Sequence, residues 1–156
     1  MTETSVDQRT RWQDVRYIGL LVAIVAGVLL LLQMRHPGDV ELCRQTFRGL
    51  ATGDMAVRDR IDWDHLTALG ISVYEKYVDL PSPQDREAFQ KTFIIAFSKG
   101  FGGVGATVRD FGNWRVHART AEAVTIAVDH RKQRKTLLMV VPASGEGKLV
   151  GLQWVE

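Results

Sequence analysis

Cysteine is almost missing from this sequence: Cys43 stands alone among 156 residues. A single thiol excludes an internal disulfide, and it leaves the redox compartment open because a lone buried thiol is tolerated in reducing and oxidising surroundings alike. Signals for lipid attachment are missing too. The chain starts Met-Thr, so there is no glycine to myristoylate, and Cys43 follows Val40-Glu41-Leu42 where a lipoprotein signal has a small residue. Nor is one charge in excess. From Asp39 onward 16 Lys/Arg face 15 Asp/Glu, a formal +1, which excludes a generic polyanion binder. Internal repeats and low-complexity segments are absent as well.

What is present at the front is an uncharged apolar run, IGLLVAIVAGVLLLL, at 18–32. Extended to 17–34 it covers about 18 residues, and at about 1.5 Å per residue such a helix is roughly 27 Å long, close to the hydrocarbon core of a bilayer. Trp12, Arg16 and Tyr17 before it, and Arg35 and His36 after it, suit two headgroup interfaces. The sequence thus predicts an N-terminal tail at 1–16, a transmembrane helix at 17–34, a linker at 35–38 and one domain at 39–156. A cleaved signal peptide is the nearest alternative, but the run is long for one and Gln-Met-Arg-His-Pro follows in place of small residues. Arginines balance across the run, with Arg9, Arg11 and Arg16 before it and Arg35, Arg44 and Arg48 after it, so the basic count does not orient it. The short tail fits an uncleaved signal anchor in a bacterial inner (cytoplasmic) membrane, with the N-terminus cytoplasmic and the domain outside. Gly19, Ala23 and Gly27 recur every four residues on one helix face. Small residues in that pattern let a second membrane helix, from another protein or another copy, pack closely.

In the domain, Val40, Cys43, Phe47, Leu50 and Ala51 form one apolar stripe on a helix that Gly53 stops. Asp54 can cap a second, short helix to about Leu69, ended by Gly70. Ser82-Pro83-Gln84-Asp85 starts a third: serine as cap, proline first in the helix, an acid three residues after the cap. It runs to about Ser98, with Phe89, Phe93 and Phe97 on a face that must be buried. The period then changes to two. Trp114, Val116 and Ala118 alternate with Arg115, His117 and Arg119, and strands follow at 122–129, 135–141 and 148–155. Helices first and an antiparallel meander after them make an α+β fold, with the helices on one face of the sheet.

The stretch Thr46-Phe47-Arg48-Gly49-Leu50-Ala51-Thr52-Gly53-Asp54 resembles the first helix and Gly-Asp turn of the nuclear transport factor 2-like (NTF2-like) superfamily. The order of elements, ending in Gly147-Lys148-Leu149-Val150-Gly151-Leu152-Gln153-Trp154, is similar too. The resemblance implies three helices packed on a curved antiparallel sheet that curls into a cone around a pocket, in a superfamily of ketosteroid isomerase-like enzymes, binding modules and membrane-anchored assembly proteins. Tail, single span and cone-like domain also resemble the single-span (VirB8-like) assembly components of type IV secretion systems and the Mce-associated membrane proteins of actinobacteria. That likeness is in architecture, and it carries over no functional residue.

Several constellations could carry chemistry. Enzymes of this superfamily move a proton with an Asp, His or Tyr in an apolar pocket, where burial shifts the acid toward working pH. Tyr74, Tyr77, Asp110 and His117 are the candidates here, but no spacing joins them, and His117 is in register with arginines on a polar face. Asp62-Trp63-Asp64-His65 has oxygen and nitrogen donors, yet on a helix Asp64 points away from the other two. No metal and no cofactor is expected. Gly100-Phe101-Gly102-Gly103-Val104-Gly105 matches G-x-G-x-x-G, but these glycines follow a helix and precede strands, the reverse of a dinucleotide site. They read as a helix C-cap and hinge. The basic run His130-Arg131-Lys132-Gln133-Arg134-Lys135 falls at a hairpin tip. Arg131, Lys132, Arg134 and Lys135 are therefore candidates for contact with anionic headgroups or an acidic partner. Nucleic acid is not expected, since no aromatic platforms interleave with these charges.

Finally, TLLMVV at 136–141 is apolar on both alternations, and so is 149–155. A sheet covered by helices on one side needs only one apolar face, so the second should meet a partner or another copy. Leu137, Met139, Val141, Leu152 and Trp154 are the expected contact residues. The reading that follows is a single-pass, membrane-anchored protein–protein interaction module, an accessory or assembly subunit of a larger membrane complex. The alternative is a membrane-tethered small-molecule binder or isomerase/dehydratase-like enzyme using the cone pocket.

Overall fold

Apolar residues at helical spacing build α1, Asp39–Thr52, and bury Cys43, Phe47 and Leu50. This is seen in a computed structural model that describes residues 38–143 and 147–155. The predicted tail and span, with Gly19, Ala23 and Gly27, lie outside those residues, as does most of the linker. Among the described residues no helix is long and apolar enough to cross a membrane.

Gly53, at φ +73°, ends α1 in the left-handed conformation that glycine adopts most cheaply. Asp54 then caps as expected, its carboxylate accepting the Ala56 N–H at 3.0 Å. The element it starts is shorter than predicted. A single 3-10 stretch, Met55–Arg60, gives way at Ile61 to a parallel bridge with Leu149. What the sequence offered as the end of that helix is instead a β-hairpin, β1 (Thr67–Ala68) against β2 (Ile71–Ser72). Leu69 and Gly70 both have positive φ, 54° and 83°. That is the backbone of a type I′ turn, whose twist suits a two-residue hairpin. Leucine is rare at such a position, which is why the segment reads as helical.

A short helix α2, Val73–Val78, was not foreseen. The start of α3, Pro83–Gly103, is as expected: Ser82 Oγ accepts the Asp85 N–H at 3.1 Å and Pro83 stands at the helix start. Its end is not. The helix continues past Ser98 through Gly100, Gly102 and Gly103, and the left-handed residue is Gly105, at φ +68°.

After a 3-10 turn at Val108–Asp110 come β3 (Phe111–Arg119), β4 (Ala123–His130), β5 (Lys135–Pro142) and β6 (Gly151–Val155). These four pair antiparallel in sequence order, as the alternation predicted. The hairpin then adds a parallel neighbour, β1 on β6, so the six-stranded sheet is mixed, in the order β2-β1-β6-β5-β4-β3. Register shifts within β3 mark bulges, which bend and twist a strand. The chain is thus an α+β domain.

Register fixes which sheet face is dry. Val124 pairs with Val141, Ile126 with Met139 and Val128 with Leu137, and β6 adds Leu152 beside Met139 and Trp154 beside Leu137. Ile126, Val128, Met139 and Val141 are 0% exposed and Leu137 and Leu152 are 2%. They form one cluster with Phe47, Leu50 and Ile94 of the helices. The expectation that these residues meet a partner is therefore corrected: Leu137, Met139, Val141 and Leu152 are core. With both alternations apolar, the sequence did not say which one faced the helices. On the other alternation Thr125, Leu138 and Val140 are half-buried and Ala127 is buried.

Candidate binding pocket

The aromatic stripe of α3 leaves part of its volume open. Phe89, Phe93 and Phe97, continued one turn on by Phe101, are half-buried, and Ile94 is the fully buried residue of the helix. Phe93 meets Trp63 edge-on at 5.5 Å, while Phe97 and Phe101 stack at 6.5 Å and 12°. Between the C-terminal half of α3 and the inner sheet face, Phe47, Phe97, Phe101 and Leu137 wall a cavity of about 330 Å³. Ala96 and Gly100 supply its small-residue side, and a Cβ added at Gly100 would meet nothing within 4 Å. Leu69, Val104 and Trp154 complete the lining and are 47%, 69% and 37% exposed. Large apolar side chains held in water around an apolar opening mark a binding site more often than a surface at rest. Every residue in the lining is apolar or aromatic.

Sequence reasoning did not find this lining. Trp154 was expected with Leu137 on a sheet face meeting a partner; both stand on the inner face and line the pocket, Trp154 exposed at its mouth. Val104 and Gly100 were read as hinge, and Leu69 as helix.

His130 was read as the first residue of a solvated turn, but it is 4% exposed. Its ring packs edge-on to Phe111 at 4.7 Å and lies 6.5 Å from Trp154. Nδ1 accepts the Gln133 backbone N–H at 3.1 Å, which places the proton of the neutral ring on Nε2. Nε2 has no partner among the described residues. Across the strand pair stands Lys135, whose side chain is exposed.

The other basic residues of the turn are placed separately. Lys132 Nζ sits 2.8 Å from Asp110. Arg131 lies over Gly112, so closely that a Cβ there would come within 2.7 Å of its Nη2. Arg134, at φ 54°, is exposed.

Nor are the acid–base candidates gathered. The Lys132 ammonium, with the Thr107 backbone and hydroxyl, lowers the Asp110 carboxyl to about 2. Arg115, then Asn113, does the same for Asp129, also to about 2. Such carboxylates stay ionised at neutral pH and are weak bases there. The Tyr77 hydroxyl accepts a hydrogen bond from Gln90 at 2.9 Å, Tyr74 lies 3.4 Å from Glu75, and His117 is exposed on β3. Among the described residues no hydrogen bond joins any two of these candidates. Asp62 and His65 do meet, at 3.0 Å, but in a turn rather than a helix. No group of three or more His, Cys, Asp or Glu side chains able to hold a metal occurs among the described residues.

The chain matches no family model, no curated protein and no solved structure.

Cys43 is buried in α1, which decides how the domain responds to thiol reagents. Burial, with a smaller contribution from Asp39, pushes its thiol up to about 12, so almost none is thiolate at neutral pH. A maleimide at pH 7 is expected to leave Cys43 unmodified in the native protein and to label it fully once the domain is unfolded. Rapid native labelling would show that α1 does not bury it. Because Cys43 is silent, a cysteine introduced at exposed Lys99 reports alone in a test of the predicted extracytoplasmic placement.

Proposed function

We propose that the domain is a non-catalytic binding module, held at a membrane by the 17–34 segment, that receives an apolar ligand in the pocket between α3 and the sheet. The carrying observation is the lining itself: apolar throughout, open, and rimmed by exposed Leu69, Val104 and Trp154. The volume, about 330 Å³, falls within the range of small-molecule sites. The strongly shifted carboxylates Asp110 and Asp129 lie outside that lining, each committed to a basic partner. An NTF2-like cone would place a pocket between helix and sheet in the same way.

Gly100 makes the reading testable without endangering the fold. It lies inside a helix with free space around its Cβ, so Gly100→Phe improves helix propensity while filling the pocket. Gly102 is equally open but does not line the pocket, and Gly102→Phe is the control. With the full chain in phosphatidylcholine nanodiscs, a diazirine analogue of decanol should crosslink within 96–104 and 152–155. Gly100→Phe should abolish that labelling and Gly102→Phe should leave it. Equal labelling of both variants would remove the pocket from consideration.

The interaction-module reading keeps one observation of its own. On the outer side of the sheet a shallow groove of about 420 Å³ runs between the hairpin and β5, lined by Thr67, Gly70, Val140, Val150 and Gly151 among others. A partner of the predicted complex would meet the sheet there, on the alternation opposite the core.

A further inference from the structure

We infer that the ligand of this pocket is an amphipathic carboxylic acid, its apolar body between α3 and the sheet and its carboxylate received by Lys135 and His130. The inference rests on the binding-module reading and deepens it. The body follows from the lining: aromatic and aliphatic walls around about 330 Å³. That is about twice the cavity of roughly 150 Å³ that takes one benzene in an apolar interior.

The carboxylate follows from what the strands set beside those walls. Leu137 and Trp154 pair across β5 and β6 and both line the pocket. Side chains two apart on a strand share a face, so Lys135 projects on the same face as Leu137, about 7 Å along. His130 is opposite Lys135 in register, two residues from Val128, which in turn pairs with Leu137. The inner face thus ends, beyond its apolar rows and just outside the lining, in an exposed ammonium and a buried N–H, the His130 ring lying 6.5 Å from that of Trp154 at the pocket mouth.

Among the described residues neither donor has a hydrogen-bond or ion-pair partner. The buried Nε2–H of His130 has no partner among the described residues, a state that costs free energy until an acceptor arrives. Lys135 is exposed, and among the described residues the acids of this end of the sheet are committed elsewhere: Asp110 to Lys132 at 2.8 Å and Asp129 to Arg115 at 2.7 Å. A carboxylate satisfies both donors at once, since it accepts at two oxygens and supplies the counter-charge to the Lys135 ammonium. An alcohol supplies an acceptor without the charge, and an amine adds a second cation.

Two probes of equal length separate the inference from the reading beneath it. Diazirine analogues of decanoic acid and decanol are compared on the full chain in phosphatidylcholine nanodiscs, each normalised to its labelling of the lipid. The acid is expected to label 96–104 and 152–155 about tenfold more than the alcohol, the worth of one charge-assisted hydrogen bond. Lys135→Glu and His130→Phe should each remove that preference, whereas Lys91→Glu, on the exposed side of α3, should keep it. Acid and alcohol labelling the pocket equally overturns the inference and leaves the binding module standing. A preference that survives both Lys135→Glu and His130→Phe overturns it too. Absence of pocket labelling by either probe sinks the reading and the inference together.

Discussion

Met139→Asp is expected to unfold the domain, while Val140→Asp, one residue along the same strand, leaves it folded. Met139 is 0% exposed, flanked in register by Ile126 on β4 and Leu152 on β6. Its neighbours are hydrocarbon, so a carboxylate there has no partner. Desolvating such a charge, or forcing it to stay protonated, costs several kcal/mol. The whole stability of a domain this size is only about 5–15 kcal/mol. Val140 points the other way, pairing with Thr125 and Gly151 on the half-buried face, where a charge keeps its water. Thermal unfolding of the full chain in mild detergent, followed by the near-ultraviolet signal of its tryptophans, separates the two outcomes. Cooperative melting of Met139→Asp at the wild-type temperature would mean that the faces have been assigned the wrong way round. The Val140→Asp protein also serves the outer-face reading, because a folded domain carrying that charge should fail to hold a partner seated on the groove beside it.

This pair of residues shows where the sequence stopped short. Period-two alternation placed β3 to β6 and their antiparallel order, because four consecutive strands joined by short turns need only local information. For TLLMVV, however, alternation gives two equally apolar faces, and only the register against α1 and α3 decides which is core. The same limit applies to the hairpin at Thr67–Ser72. Leu69-Gly70 adopts positive φ at both positions because the parallel pairing of β1 with β6 holds the chain there, and that pairing joins residues far apart in sequence. Caps were legible for the opposite reason. Asp54 and Ser82 act on amides two or three residues away, so their chemistry is complete within the local sequence. The pocket was least legible of all. Phe97 and Phe101 are an ordinary buried stripe until Gly100 and Ala96 fail to fill the space beside them, and His130 looks like part of a basic turn until strand pairing carries it onto the inner face. A histidine two residues beyond Val128 in an alternating strand was the one available signal, and its neighbours in the charge run obscured it.

Phe47→Ala is expected to cost about 3–5 kcal/mol, the upper range for truncating a buried aromatic side chain. Phe47 is 1% exposed and meets three rings from two other elements: Phe101 of α3 at 5.5 Å, and Phe111 and Trp114 of β3 at 4.6 and 5.9 Å. Its ring therefore couples α1 to both the long helix and the sheet. It also forms one wall of the pocket, so the space vacated by truncation joins an opening that already exists and that the surrounding aromatic frame keeps from collapsing. Sites that cannot relax lose the most. Phe97→Ala gives the contrast. Phe97 lines the same pocket but is half-buried, so its ring gives up less protected surface and the loss should be about 1–2 kcal/mol. Urea unfolding of the full chain at unchanged m-value reads the difference as a shift in midpoint. If Phe97→Ala proved as damaging as Phe47→Ala, the pocket side of α3 would have to be closed in solution, with Phe97 buried in a filled core, and no ligand could be accommodated between helix and sheet. A large cost at Phe47 with a small one at Phe97 is what an open pocket on a rigid frame requires: the wall shared with the core carries the fold, and the wall shared with solvent is left free to bind.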